Sequence, residues 1–487
     1  MIVSLMVNNT ERAPVASIVR HSVFILIVAL LLSNCTPEAN PDIERGSGYN
    51  YQPGYPEVNF SAVGFLDESN TPSINIAADI VYGSLIFKQV DNISQAKMAV
   101  DIRIVPIEGD DNVIDPFHDE ITLTEESTGG INSQNSYIFE KSITVPPGSY
   151  TVYFTLTDSY SDKEITRQTT TSIPDPASSL IDLTDIRMLA KNMDAEDPQW
   201  RPVTTYDVKG RVDSLMFIFQ ATNNSSSQPL SINAKLLKFE ADTSVARPMY
   251  YNNYSPSSAS YRGIDYDEQQ TVQQSERKLL QEGSVFIEFK FAQQNRGNYR
   301  FEVRSAKEGS DLFKARDFGI KSTNYPALKT ARELAGPLAY LMDEDEYEEL
   351  TSISNSDSLK KAIDRFWLKQ LGSAYKARNV IQLYYQRAEE ANKQFSNFKE
   401  GWKTDTGMMY ILFGPPWYVD RRLDQMQWSY SYNRTDPERN FLFLQPKLKS
   451  EFYPFEHYIL QRNQQYYSVE YQQRSLWLSG LILQRRL

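Results

Sequence analysis

The sequence predicts a multidomain, mainly β chain: two tandem immunoglobulin-like β-sandwiches followed by an α+β domain. Three observations carry this. Between residues 57 and 177 the apolar residues recur with a period of two. A second stretch of the same kind runs from 178 to 323, and after Tyr325-Pro326 the period changes to 3.6. At 487 residues the chain is long enough for three domains of ordinary size.

In the first stretch, VNFSAVGF, IVYGSLIF, MAVDIRIV, YIFEKSITV and YTVYFTLTD are rich in Val, Ile, Phe, Tyr and Thr and are separated by turn residues. In the last of these, Tyr150, Val152, Phe154 and Leu156 alternate with Thr151, Tyr153, Thr155 and Thr157, as in a sheet with one buried face. The second stretch carries an echo of the first. Gly148, Tyr150, Val152 and Phe154 match Gly297, Tyr299, Phe301 and Val303, a glycine-permitted turn followed by a strand, as duplication of one sandwich or a common strand-entry pattern would give.

In the third region ALKTARELAGPLAYL, DEYEELTSI, SLKKAIDRFWLKQL and NVIQLYYQRAEEANKQF read as helices, with Ser356 or Asp357 as an N-cap. Ile381, Tyr384, Tyr385, Ala388 and Ala391 share one helical face. MMYILF, MQWSYSY, NFLFL and HYILQ read as strands, NRTDPE (433–438) as a hairpin turn, and the basic, apolar segment 474–487 stays unassigned.

Ahead of the domains, Arg12 and Arg20 form a sparse basic region before a ten-residue apolar run, Val23 to Leu32. A membrane span takes about 20 apolar residues, so residues 1–34 read as a secretory signal. Leu32, Ser33, Asn34 and Cys35, the only cysteine, resemble the lipobox of bacterial lipoproteins, although Asn34 is unusual there. That resemblance implies cleavage before Cys35 and its acylation, hence a membrane partner through a lipid anchor. Thr36, where Asp would retain a lipoprotein at the inner membrane, implies the outer one, with the periplasmic or the cell-surface face left open. Residues 35–56 then read as a Pro/Gly/Asn-rich tether.

The chain has 62 acidic against 50 basic residues and no basic tract, which gives no footprint for nucleic acid. Besides His21 in the signal, the two histidines are His118 and His457, and no GxSxG elbow, GxGxxG or Walker A sequence is present. No cofactor is expected. Zinc would have to rely on carboxylates, against its usual ligands. The acidic stretch 108–120 lacks the alternation of a calcium loop and reads as a solvated loop, and 343–349 reads as the start of a helix, where acids suit the dipole, so no metal is expected.

The stretch GWKTDTGMMYILFGPP (401–416) concentrates the remaining candidates: Gly401, Trp402, Thr404, Asp405, Gly407, Gly414, Pro415 and Pro416. Each has a structural reading. Gly401 ends a helix in the left-handed conformation, Trp402 plugs the helices, Thr404 and Asp405 make a turn closed by Gly407, and Gly414-Pro415-Pro416 force another, with room for a cis proline. The functional reading makes Asp405 a general acid or base, with Trp402 and Trp417 as a stacking platform for a sugar; glycoside hydrolysis would need a second carboxylate, and the sequence names none.

Together with Phe366-Trp367, the helix YYQRAEEANKQF and the WSY of Trp428 to Tyr430, these motifs resemble the GWxTD domain over about residues 325–445. The family occurs in secreted or lipid-anchored bacterial proteins and has no established activity. Thr406 departs from it, standing where basic residues are common. The reading that follows is a non-enzymatic outer-membrane lipoprotein that binds another protein in an envelope assembly, secretion or uptake complex. A glycan-binding surface lipoprotein and, behind it, a carbohydrate-active enzyme using Asp405 are the alternatives.

Overall fold

The computed structural model describes residues 54–484 except 68, 109–113, 126–135, 176–180, 193–197, 209–211, 225–228, 251–262, 308–309, 432–438 and 447–456. The signal, Cys35, most of the tether and the NRTDPE turn lie outside the described residues.

Among the described residues eight strands build the first sandwich: β1 (Val58–Leu66), β2 (Pro72–Val81), β3 (Lys88–Val90), β4 (Ile93–Pro106), β5 (Ile114–Thr124), β6 (Ser136–Thr144), β7 (Gly148–Asp158) and β8 (Lys163–Ile173). One sheet runs β1-β2-β6, the other β3-β4-β7-β8 with β5 also on β4, and all pairs are antiparallel. Alternation along β7 does the sorting: Tyr150, Val152, Phe154 and Leu156 are buried and their neighbours are not. These face Ile74, Ile76, Ala78 and Ile80 from β2. The acidic stretch read as a loop is in part a strand, since 114–120 lie in β5; 109–113 fall outside the described residues.

The second sandwich has β9 (Ile181–Leu183), β10 (Arg187–Lys191), β11 (Arg201–Pro202), β12 (Asp207–Val208), β13 (Ser214–Asn223), β14 (Leu230–Ala241), β15 (Ile264–Leu279), β16 (Gly283–Ala292), β17 (Gly297–Lys307) and β18 (Ser310–Ile320). Its sheets run β11-β10-β13-β16 and β12-β18-β17-β14-β15. Phenylalanines from both fill the core, with Phe217 and Phe301 stacked at 4.4 Å. The repeated Gly-x-Tyr has one physical basis in both sandwiches. Gly148 and Gly297 take φ +149° and +155°, which only glycine holds without strain, and the hydroxyls of Tyr150 and Tyr299 each donate to the carbonyl four residues back, Pro146 at 2.6 Å and Asn295 at 2.7 Å.

The sandwiches meet through Gln220, a buried β13 side chain that accepts from Leu66 N–H at 2.7 Å and donates to Leu66 C=O at 2.9 Å. Beside it Lys314 pairs with Asp185, and Asp185 accepts from Thr171.

The third domain contains α1 (Ala331–Ala335), α2 (Glu344–Ser352), α3 (Ser356–Leu371), α4 (Ala374–Phe395), α5 (Asp405–Phe413) and α6 (Tyr466–Ser479), with a four-stranded antiparallel sheet β19 (Tyr418–Arg421), β20 (Gln425–Ser429), β21 (Asn440–Leu444) and β22 (Ile459–Leu460). α1 opens with a capping box between Thr330 and Glu333. The cap of α3 is Asn355, just ahead of the expected Ser356 or Asp357, because its carboxamide accepts from Ser358 N–H at 2.9 Å. α3 buries Leu359, Ile363, Trp367 and Leu371 at four-residue spacing, and α4 buries Tyr384, Tyr385, Ala388 and Ala391.

One expectation changes here, and the segment left unassigned finds its place. MMYILF is helical, part of α5: all nine residues of α5 are buried, so its apolar run carries no period that would tell helix from strand. Segment 474–487 neither closes a sheet nor stands apart: through residue 484 it forms the end of α6 and a 3-10 turn, with Trp477 buried and its indole donating to Leu412 C=O at 3.0 Å. Among the described residues no helix is long and apolar enough to cross a membrane.

Candidate functional site

The motif sits where α4 gives way to α5. Gly401 is not a left-handed helix cap, since its φ is not positive. It opens a 3-10 turn, Gly401–Lys403, pressed onto α4: a Cβ there would lie 1.8 Å from the carbonyl oxygen of Ala391. Gly407 answers to the same constraint, since its Cβ would lie 1.9 Å from the carbonyl oxygen of Gly401. Close approach of two backbones, and not backbone handedness, requires glycine at both positions.

Trp402 is the expected plug. Its main-chain N–H donates to Asn392 at 3.1 Å, its indole N–H to Glu400 at 3.0 Å, and its carbonyl accepts from the Tyr340 hydroxyl at 2.6 Å. Its ring lies against Gly336, where a Cβ would meet it at 2.7 Å. Thr404 caps α5: its hydroxyl donates to Gly401 C=O at 2.7 Å and accepts from Gly407 N–H at 3.0 Å.

Asp405 occupies the first turn of α5, where the helix dipole favours an anion. Its Oδ1 accepts from Arg462 Nη2 at 2.7 Å, and its Oδ2 from Arg462 Nη1 and from Leu460 N–H, both at 2.8 Å. Burial alone would raise its pKa; the charge and hydrogen bonds of Arg462, with Lys399 and Leu460 N–H, hold it below the usual carboxylate value. Both oxygens are thus engaged inside the protein. Arg462, its side chain 2% exposed, also donates to the carbonyls of Pro248 (Nε, 3.1 Å) and Arg247 (Nη2, 3.0 Å).

At the other end of the motif Gly414 ends α5 with φ +83°, its N–H donating to Tyr410 C=O and its carbonyl accepting from the Tyr430 hydroxyl, both at 2.8 Å. Pro415 and Pro416 are buried and trans; among the described residues the cis peptide is Tyr325-Pro326. Trp417 is half-buried, lies beyond the α5 cap, and its N–H donates to Ser429 C=O at 2.9 Å, so it does not share a platform with the internal Trp402.

The motif is tied to the second sandwich by charge. Glu400 pairs with Arg296, just before β17, at 2.6 Å and with Lys403 at 3.7 Å. Against its burial, Lys403, Arg296 and the Trp402 indole keep its pKa below normal. Lys321 joins Asp207 at 3.2 Å and donates to Asn397 C=O. The Asn397 carboxamide N–H donates to His457 Nδ1 at 2.9 Å, while His118 pairs with Asp101 far off on the first sandwich. Among the described residues no group of three or more His, Cys, Asp or Glu is arranged to hold a metal.

No signal in the sequence points to Arg462, which pairs with Asp405, or to Met249 and Glu470, joined by the Met249 N–H bond to the Glu470 carboxylate. Each is an ordinary residue type with no motif around it, and only the tertiary fold joins them.

Residues 297–479 match the family model described as the GWxTD domain, a span that begins at the turn into β17 and so takes in the last two strands of the second sandwich. No curated protein sequence matches this chain. Among solved structures, red sea bream transglutaminase is 8% identical with a TM-score of 0.18, covering 55% of this chain and 31% of its own. Salmonella alpha-2-macroglobulin reacted with methylamine is 12% identical with a TM-score of 0.19, covering 57% and 17%. The C-terminal domain of the Streptococcus agalactiae AgI/II polypeptide BspA is 11% identical with a TM-score of 0.16, covering 54% and 99%. This chain thus spans less than a third of the transglutaminase and of the macroglobulin.

Proposed function

The C-terminal part of this chain is a GWxTD domain, and from that premise we propose that the protein is a lipid-anchored, non-enzymatic interaction subunit of an outer-membrane complex serving envelope assembly, secretion or uptake. Cys35 supplies the anchor, residues 36–56 the tether, and the two sandwiches carry the GWxTD domain away from the bilayer. One observation supports this above the others: the Asp405 carboxylate, the acid of the motif, is closed in by Arg462 and Leu460 N–H. A general acid or base must reach a substrate proton, and this one faces its own fold. No role for a cofactor enters.

The test is a gentle detergent pull-down of the tagged full-length protein from its own membranes, with co-purifying proteins identified by mass spectrometry. A stoichiometric outer-membrane partner supports the subunit reading; none, across detergents and crosslinkers, removes it. Labelling with a clickable fatty acid tests the anchor: wild type should take up label and Cys35→Ala should not.

A glycan-binding reading is favoured by a different observation. Tyr375, Tyr467 and Tyr471 are 79%, 59% and 62% exposed on the GWxTD domain, and aromatic rings stack on sugars. Glycan-array binding that is lost in Tyr467→Ala/Tyr471→Ala and kept in Trp417→Ala would put the sugar on these tyrosines.

A further inference from the structure

β14 and β15 of the second sandwich are joined by residues 242–263. The described part leaves the sheet and lies along the GWxTD domain. At its base the Asp242 N–H donates to Gly263 C=O at 3.0 Å, so the two strands are closed off before the excursion starts.

From Ser244 to Tyr250 this strap is held mainly by its backbone. Lys399 donates to Ser244 C=O at 2.9 Å. Arg462 donates to both the Arg247 and the Pro248 carbonyls. Glu470 accepts from Met249 N–H at 2.7 Å, and Asn463 N–H donates to Met249 C=O at 3.3 Å. One side chain is the anchor: Met249 is fully buried within the core of the GWxTD domain, with Val245 and Ala246 packed partly against it. The Tyr250 ring meets Tyr467 edge-on at 5.0 Å.

Five backbone groups read by the side chains and main chain of another domain, around a single apolar anchor, is the way an extended peptide is taken into a groove. The main chain gives affinity, the pocket gives selectivity. Asp405 fixes the guanidinium that grips two consecutive carbonyls, which gives the motif acid a positioning role in the groove. We propose that this groove of the GWxTD domain is a docking site for an extended segment of a partner protein carrying an apolar, methionine-like anchor, and that Ser244–Tyr250 fills it in cis until such a segment replaces it. The closed base at Asp242 and Gly263 lets the strap lift without unpairing β14 from β15. The proposal rests on the interaction-subunit reading and gives it a surface and a partner chemistry.

The experiment uses the full-length chain and a fluorescein-labelled peptide of residues 244–250, SVARPMY, followed by fluorescence anisotropy. Met249→Ala weakens the cis anchor, so this variant should bind the peptide at least ten-fold more tightly than wild type. The same peptide carrying Met249→Asp should bind neither protein. A folded variant that takes up neither peptide, or both equally, overturns the proposal. Should Met249→Ala lose the wild-type near-ultraviolet circular dichroism, Pro248→Gly, which keeps the anchor and loosens the strap, replaces it: tighter binding of the first peptide alone supports the groove, and uptake of neither or both overturns it. A pull-down partner combined with no peptide binding refutes the groove and leaves the subunit reading standing. Peptide exchange with no partner recovered does the reverse.

Discussion

Asp405 and Arg462, 57 residues apart, face each other through two parallel hydrogen bonds of 2.7 and 2.8 Å, a bidentate pair enclosed between α5, β22 and the strap. Replacing a buried pair by apolar residues is often tolerated, whereas removing one member leaves the other charge uncompensated.

Asp405→Asn is therefore expected to destabilise the chain by about 4 kcal/mol, seen as a lower urea midpoint. Asp405→Leu combined with Arg462→Met should lose less than the two single changes added together. Additive losses would mean that the pair is not coupled.

Gly401→Ala and Gly372→Ala separate two reasons for glycine. At Gly372 φ is +65° and nothing lies within 4 Å of a Cβ, so alanine costs about 1 kcal/mol of backbone strain. At Gly401 the Ala391 carbonyl must move, and about 3 kcal/mol is expected. Equal thermal shifts for the two variants would contradict this.

Two buried groups give opposite dependences on pH. Burial, with the nearby Lys399 charge, lowers the His457 pKa from 6.5 to about 4. The neutral ring is favoured in the fold, so its contribution is complete above pH 6.5 and is lost as pH falls towards 4. Burial raises Glu390 from 4.5 to about 7, Lys393 only partly opposing it. Its contribution is complete below pH 4.5 and is lost as pH rises through 7, on the order of 3 kcal/mol. Urea midpoints across pH 4 to 7 should show the acid-side loss flattened in His457→Asn and the neutral-side loss flattened in Glu390→Gln; unchanged slopes would sink the assignment.

Gln220→Ala removes both partners of Leu66 at the junction of the sandwiches and leaves a buried N–H and C=O without them. A loss of about 2 kcal/mol is expected, with faster proteolysis between the sandwiches while the GWxTD domain stays intact. Protection equal to wild type would show that other contacts hold the junction.

What can be read in the sequence follows from where residues meet water. β7 has one wet and one dry face, so its period of two is written in Tyr150 to Thr157, and α3 and α4 carry their apolar stripes in the same way. The Gly-x-Tyr echo is visible, although the hydroxyl bond behind it is not. α5 has no wet face, so TGMMYILF carries no period, and its helical state shows only in the Thr404 cap and the close pack of Gly401 on Gly407. The core of the site is the least legible part. Asp405 advertises itself in a motif, but Arg462 and Met249 acquire their roles only when β22 and the β14–β15 connection are brought to it.

The strap also imposes an order of events on the molecule. Synthesis from the amino terminus produces Met249 more than two hundred residues before Glu470, whose carboxylate holds its N–H. A chain interrupted anywhere between them would display an apolar hook with no socket, which is the sort of surface that chaperones and proteases recognise. Completion of α6 is thus the step that gives the hook its socket.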